Sequence, residues 1–132
     1  MNNCGFLIFN DLANDRGGLV SIEKNIPFEI KRIYFLHNTS DSHQRGFHAH
    51  KKLEQIIVPV SGSFIFTIDD GYKRIAHTLD DPAKGLYICP MIWREISNFS
   101  SNAVCLVLAS EYYDEDDYIR NYQEFINEVH SK

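Results

Sequence analysis

A chain of 132 residues has the length of one domain, and a 44% share of hydrophobic residues is enough for it to enclose a core. Its net charge of −5, with no basic block, excludes the electrostatic footprint of a nucleic-acid-binding surface. No apolar run reaches the length of a membrane span, and Pro and Gly are too scarce for a disordered segment.

In chain order the predicted elements are nearly all strands. "CGFLIFN" and "GLVSIE" come first, separated by the polar "DLANDRG". The N-terminal stretch has neither a basic region nor an apolar core of signal-peptide type, so a cytoplasmic protein is expected. "FEIKRIYFLHN", "EQIIVPV", "SFIFTI", "YKRIAHTL", "GLYICP", "IWREIS" and "AVCLVLAS" follow. Asp69-Asp70-Gly71 is a hairpin turn signal, and Asp81 to Gly85 reads as a second turn. "FIFTI" and "YKRIAH" alternate as half-buried antiparallel strands do, whereas "IIVPV" and "VCLVLA" are apolar throughout, as strands covered on both sides would be. Only the end is helical: Tyr118, Tyr122, Phe125, Ile126 and Val129 recur at three- and four-residue spacing, which predicts one apolar face over about four turns. Asp114 to Asp117 would lie near that helix's N-terminus. Eight to ten short strands and one terminal helix predict a single all-β domain over 1–132, a sandwich or small barrel of antiparallel strands. Cys4, Cys89 and Cys105 are odd in number and form no C-x-x-C, so buried free thiols are expected at Cys89 and Cys105.

"RGFHAHKKLEQ" carries the chemistry. Residues two apart on a strand share a face, so His48 and His50 point the same way, and Glu54 joins them if the strand has no bulge. This leaves open a metal site, a proton-transfer pair, or polar residues at a strand end. Of the other histidines, His43, His77 and His130 read as surface residues and His37 is ambiguous.

The pattern G-x-H-x-H-x-x-x-E, from Gly46 to Glu54, resembles the first cupin motif, and "GLYICPMIWREISN" loosely resembles the second. Where the second motif usually carries a metal-binding histidine, this chain has Arg94, whose guanidinium cannot coordinate a metal and would repel one. "RGGLVSIE", "IPFEIKRIYFL", "RGFHAHKKLEQI", "GLYICPMIWREI" and "VLASEYYDEDDYIRNYQEF" narrow the resemblance to the cupin-fold nucleotide-sugar 3,4-ketoisomerases acting on dTDP-4-keto-6-deoxy-D-glucose. "RG-aromatic-H" also resembles the related deoxysugar 3,5-epimerases.

The resemblance implies a cupin-type β-barrel or jelly roll with a C-terminal α-helix. It also implies a metal-independent isomerase without cofactor, serving deoxyaminosugar biosynthesis, and a homodimer that exchanges strands. A dTDP-linked 4-keto-6-deoxyhexose would be the partner, with no nucleic acid and no membrane. Moving a ketone from C4 to C3 through an enediol needs a base at C3 and an acid at C4, and two imidazoles on one face suit two neighbouring carbons. His48 and His50 are then the catalytic candidates, in either order. Arg45, Arg16 and Lys51 are candidates for the pyrophosphate, Arg45, Tyr34 and Arg94 for the enolate oxygen, and Trp93 or Tyr87 for stacking on thymine, although aromatics in a β-core are more often packing. Two other classes compete: a metal-dependent cupin enzyme of dioxygenase type using His48, His50 and Glu54, and a non-catalytic sugar-binding cupin.

Overall fold

The computed structural model describes residues 3–39 and 44–131; His43 lies outside them. Two five-stranded antiparallel sheets face each other. The first has the order β1 (Gly5–Ile8), β9 (Lys84–Ile88), β6 (Gln55–Ser61), β11 (Val104–Ala109), β4 (Arg32–Leu36). The second has the order β12 (Tyr118–Ile119), β5 (Arg45–His50), β10 (Trp93–Ser97), β7 (Phe64–Asp69), β8 (Arg74–Leu79). A small hairpin, β2 (Asn10–Asp11) with β3 (Val20–Ser21), stands apart. The predicted barrel of antiparallel strands with a terminal helix is what forms.

Side-chain alternation explains the layers. Phe64, Phe66 and Ile68 of β7 project inward to meet Ile57, Leu86, Ile88, Cys105 and Val107 from the first sheet. Ile56, Val58 and Leu108 point the other way and are covered by Phe9, Val20, Ile22 and Phe28. That second layer is why β6 and β11 are apolar throughout. The turn between β7 and β8 forms as expected, with Asp69 accepting from the Gly71 amide at 2.7 Å.

The predicted C-terminal helix is corrected. It does not run from the acidic segment through Tyr118 for four turns. Glu115–Asp117 form one 3-10 turn, capped by the Asp114 side chain on the Asp116 amide; Tyr118–Ile119 are a strand; and α1 is confined to Tyr122–His130. Asn121 caps α1, its side chain accepting from the Glu124 amide. Asn followed three residues later by Glu is a helix-start signal, and it outranks the apolar repeat that reaches back to Tyr118. The third apolar cluster, Ala49, Trp93, Ile119 and Phe125, fixes α1 and β12 against the outer face of β5 and β10.

Candidate active site

β5 presents the histidine pair. His48 and His50 share a face as expected, their ring centroids 4.8 Å apart and the planes at 84°. A bulge sets what joins them. In the β5–β10 ladder Arg94 pairs with His48 but Glu95 with Gly46, so Phe47 is an extra residue. Gly46 has φ +92° and Phe47 φ +58°, and a Cβ on Gly46 would meet the Arg94 carbonyl oxygen at 2.9 Å. The extra residue inverts the alternation, so Arg45, opposite Ile96, lies on the same face as the histidines.

Both imidazoles are held in one tautomer. His48 Nδ1 is 3.0 Å from the Gly46 carbonyl oxygen, which can only accept, so Nδ1 carries the proton. His50 Nδ1 is 3.1 Å from Asp117 Oδ2, which fixes the same tautomer. Nε2 is therefore the basic nitrogen of each ring. In His50, Nε2 is buried and has no hydrogen-bond partner. Asp117 is itself held by the Lys52 amide at 2.8 Å and the Leu53 amide at 3.2 Å. β12 puts it there, pairing Tyr118 with His50 and Ile119 with Ala49. The Tyr118 ring packs 4.9 Å from His48 and 4.4 Å from His50.

Arg94 lies behind the pair, fully buried. It donates from Nη1 to Gln55 Oε1 and from Nη2 to the Ile92 carbonyl at 3.1 Å. Gln55 Nε2 donates to the Tyr34 hydroxyl at 3.0 Å. Burial lowers the Arg94 pKa to about 10, so it stays cationic at neutral pH. Burial first, and Arg94 second, push His48 down to about 4 and His50 to about 2. Asp117 opposes this at His50, but the direction stands: a buried ring facing an unneutralised guanidinium stays neutral. Both rings are thus proton acceptors at neutral pH.

A cleft of about 720 Å³ opens onto His50, Asp117 and Tyr118, within the range of small-molecule sites. Arg32 and Lys52 supply cations to its wall, and Tyr113 forms part of its rim. Arg32 stacks between the rings of Tyr34 at 5.1 Å and Tyr113 at 5.8 Å, with a buried Nε that has no partner.

The sequence-derived candidates divide accordingly. His48, His50, Arg94 and Tyr34 come together, and Arg45 reaches their face at an exposed position. Lys51 is exposed and its neighbour Lys52 lines the cleft instead. Arg16 sits exposed between Asn14 and Gly17, at the tip of the β2–β3 hairpin and away from the cleft of its own chain. Trp93 is enclosed beneath α1, on the face opposite Arg94, with Nε1 donating to Glu95 at 2.9 Å; packing is its role here. Tyr87 donates to Glu54 at 2.5 Å, and Glu54 lies beyond the end of β5 rather than beside the histidines. Among the described residues no three His, Cys, Asp or Glu converge as a ligand set. The sequence reading missed Asp117, Tyr118, Arg32, Lys52 and Gln55. The Asn121–Glu124 cap was the one available signal, since it frees residues 117–119 to be something other than helix.

The sequence profile of the FdtA family (WxcM-like, C-terminal) matches residues 2–130. The chain belongs to this family. A relative from Aneurinibacillus thermoaerophilus, described as a TDP-4-oxo-6-deoxy-α-D-glucose 3,4-oxoisomerase, is 53% identical over 119 residues, 89% of this chain and 86% of the relative. The crystal structure of a 3,4-ketoisomerase from Helicobacter canadensis matches with TM-score 0.93 and 43% identity, covering 97% of this chain and 98% of that one. QdtA, a 3,4-ketoisomerase of Thermoanaerobacterium thermosaccharolyticum, matches with TM-score 0.97 and 41% identity, covering 100% and 97%; that structure is a histidine-to-asparagine variant holding TDP-4-keto-6-deoxyglucose. FdtA-family membership thus accounts for the barrel and for the histidine strand together. Among the described residues no helix is long and apolar enough to cross a membrane.

Proposed function

We propose that this chain is a TDP-sugar 3,4-ketoisomerase that moves the keto group of TDP-4-keto-6-deoxyglucose from C4 to C3 by histidine acid–base catalysis, with no metal or other cofactor. The observation that carries the reading is the unpartnered, buried Nε2 of His50, a ring that is backed by Asp117 and lines the cleft. His50 takes the C3 proton, made acidic by the C4 carbonyl. The C3–H electrons form the C3–C4 double bond, and the C4 oxygen becomes an enediolate. His48, its ring centroid 4.8 Å from that of His50, serves the neighbouring carbon. It takes the C3 hydroxyl proton as the C3 carbonyl forms, and the C3–C4 double-bond electrons take a proton at C4 from the same ring. The proton held on His50 passes to the C4 oxygen, leaving the ketone at C3 and a hydroxyl at C4.

Positioned acid–base groups supply about 10²–10⁴-fold, so the enediolate also needs a favourable field. Arg94 provides a fixed positive charge behind both rings. Tyr34 accepts from Gln55 and keeps its own hydroxyl proton to donate to a substrate oxygen; burial raises its pKa, so it remains a phenol. The negative charge of substrate and enediolate raises the basicity of rings that Arg94 otherwise suppresses, so base strength rises as the reaction proceeds. Arg32 and Lys52 bind the diphosphate, with Arg45 at the barrel mouth contributing from the histidine face.

We further infer a homodimer. β4 is an edge strand whose outward residues Ile33 and Phe35 are 60% and 58% exposed, and the β2–β3 hairpin exposes Leu12 and Leu19. A second copy would cover these groups and the unpaired strand edge. β1 pairs within its own chain, so the hairpin is the segment available for exchange, and it would carry Arg16 toward the partner's cleft.

An NMR time course with TDP-4-keto-6-deoxyglucose tests the activity. A 3-keto product, with solvent deuterium at C4, is the expected result, unchanged by a chelator. Recovery of unaltered sugar nucleotide would refute it.

A further inference from the structure

Cys4 and Cys89 face each other where β1 meets β9. The two strands are antiparallel with Gly5 opposite Tyr87, so the residue before β1 arrives beside the residue after β9. Their sulfurs are 3.1 Å apart, and the Cys89 amide also donates to Cys4 Sγ at 3.4 Å. A disulfide bond is about 2 Å long, so roughly 1 Å of sulfur movement closes the gap. Both thiols are half-buried and within reach of a small oxidant, whereas Cys105 is fully enclosed. The isomerisation uses neither.

We propose that Cys4 and Cys89 form a reversible disulfide within one chain, a redox staple that fixes the N-terminal strand to the barrel. Cys4 is the attacking sulfur: the Cys89 thiol donates a hydrogen bond to it, lowering its pKa to about 7, and the same contact raises that of Cys89. The oxidant is a low-molecular-weight disulfide. Cys4 thiolate attacks one of its sulfurs, breaks the S–S bond and expels one thiolate, giving a mixed disulfide. Cys89, deprotonated, attacks the Cys4 sulfur and expels the second thiolate. Two electrons pass to the oxidant, and the two cysteine protons end on the two released thiols. The staple lies two residues from a contact with the histidine strand: Pro90 follows Cys89, and the Met91 amide donates to the His50 carbonyl at 2.7 Å.

The test is titration of the reduced full-length chain with oxidised glutathione. Free thiols are then alkylated under denaturing conditions, and intact mass and a non-reducing tryptic map are recorded. The expected product is a monomeric chain, on a denaturing gel, that has lost two hydrogens. Peptide 1–16 should be joined to 85–94, Cys105 should be alkylated, and dithiothreitol should restore the starting mass. Its Tm should rise by several degrees, and Cys4→Ser should abolish both the cross-link and the rise. A stable glutathione adduct, a covalent dimer, or a link to Cys105 would each overturn the proposal.

Discussion

His50 and Asp117 are 67 residues apart in the chain and 3.1 Å apart in space, and the carboxylate meets the ring at Nδ1. The contact leaves Nε2 as the basic nitrogen. Asp117→Asn keeps an oxygen for the Lys52 amide but can turn an amide donor toward the ring, which favours the opposite tautomer. We expect kcat to fall by about 10²–10⁴-fold with KM little changed, and far-UV circular dichroism to be unaltered. Near wild-type kcat would show that Asp117 only closes the loop at Lys52.

The histidines should separate by the step each serves. His50→Asn should suppress both turnover and C3 deuterium wash-in. His48→Asn should suppress turnover while leaving measurable wash-in at C3, because the first proton still leaves. Each loss should be on the order of 10²-fold or more. The same exchange pattern in both variants would make the rings interchangeable.

Stability should fall on mild acidification. The unfolded chain protonates both rings near their ordinary pKa of 6.5, while the folded chain holds His48 neutral to about 4 and His50 lower still. The folded pKa values are depressed, so the unfolded state binds more protons below 6.5 and gains relative to the native state. Each ring should cost roughly 1.4 kcal/mol of stability per pH unit between about 6.5 and 4. Tm measured from pH 7 to pH 5 should drop, and the His48→Asn, His50→Asn double variant should show a shallower decline.

Cations on the cleft wall should affect binding more than chemistry. Arg32→Met and Lys52→Met should each raise KM about tenfold or more with kcat preserved, the signature of uniform substrate binding. Arg16→Ala should show the same effect only in the dimer. A fall in kcat for Arg32→Met would move Arg32 to the reacting end of the sugar.

The β4 face should decide association. Ile33→Asp with Phe35→Asp places two charges on the exposed edge strand without touching the core, and should convert the dimer to monomer in sedimentation at micromolar concentration. A wild-type monomer under those conditions would remove the dimer altogether.

The barrel was legible because period-two alternation and the doubly apolar β6 and β11 report local geometry directly. The pairing of His48 with His50 was legible for the same reason. Asp117 was not, because its position depends on a two-residue strand that pairs across the molecule, and an acidic run before an apolar repeat resembles a helix start. Arg45 could be nominated by type, but its facing depends on a bulge at Phe47 that takes a non-glycine residue to positive φ, a choice sequence rarely announces. Lys51 and Lys52 differ only in which way a turn happens to aim them.

The shortness of β12 has a thermal consequence. The Lys52 and Leu53 amides hold the Asp117 carboxylate, but only two residues of ladder follow it, and Ile119 and the enclosed Phe125 of α1 brace that short strand from outside the barrel. If that outer seam opens, β12 leaves β5 and His50 loses its orienting carboxylate while the other strands of both sheets stay paired, and such peripheral openings cost less than global unfolding. Heat should therefore silence the enzyme several degrees before it melts the barrel, and the margin should narrow or widen with the fit of Ala49, Trp93, Ile119 and Phe125. A helix that touches no substrate would thus set the working temperature of the chemistry.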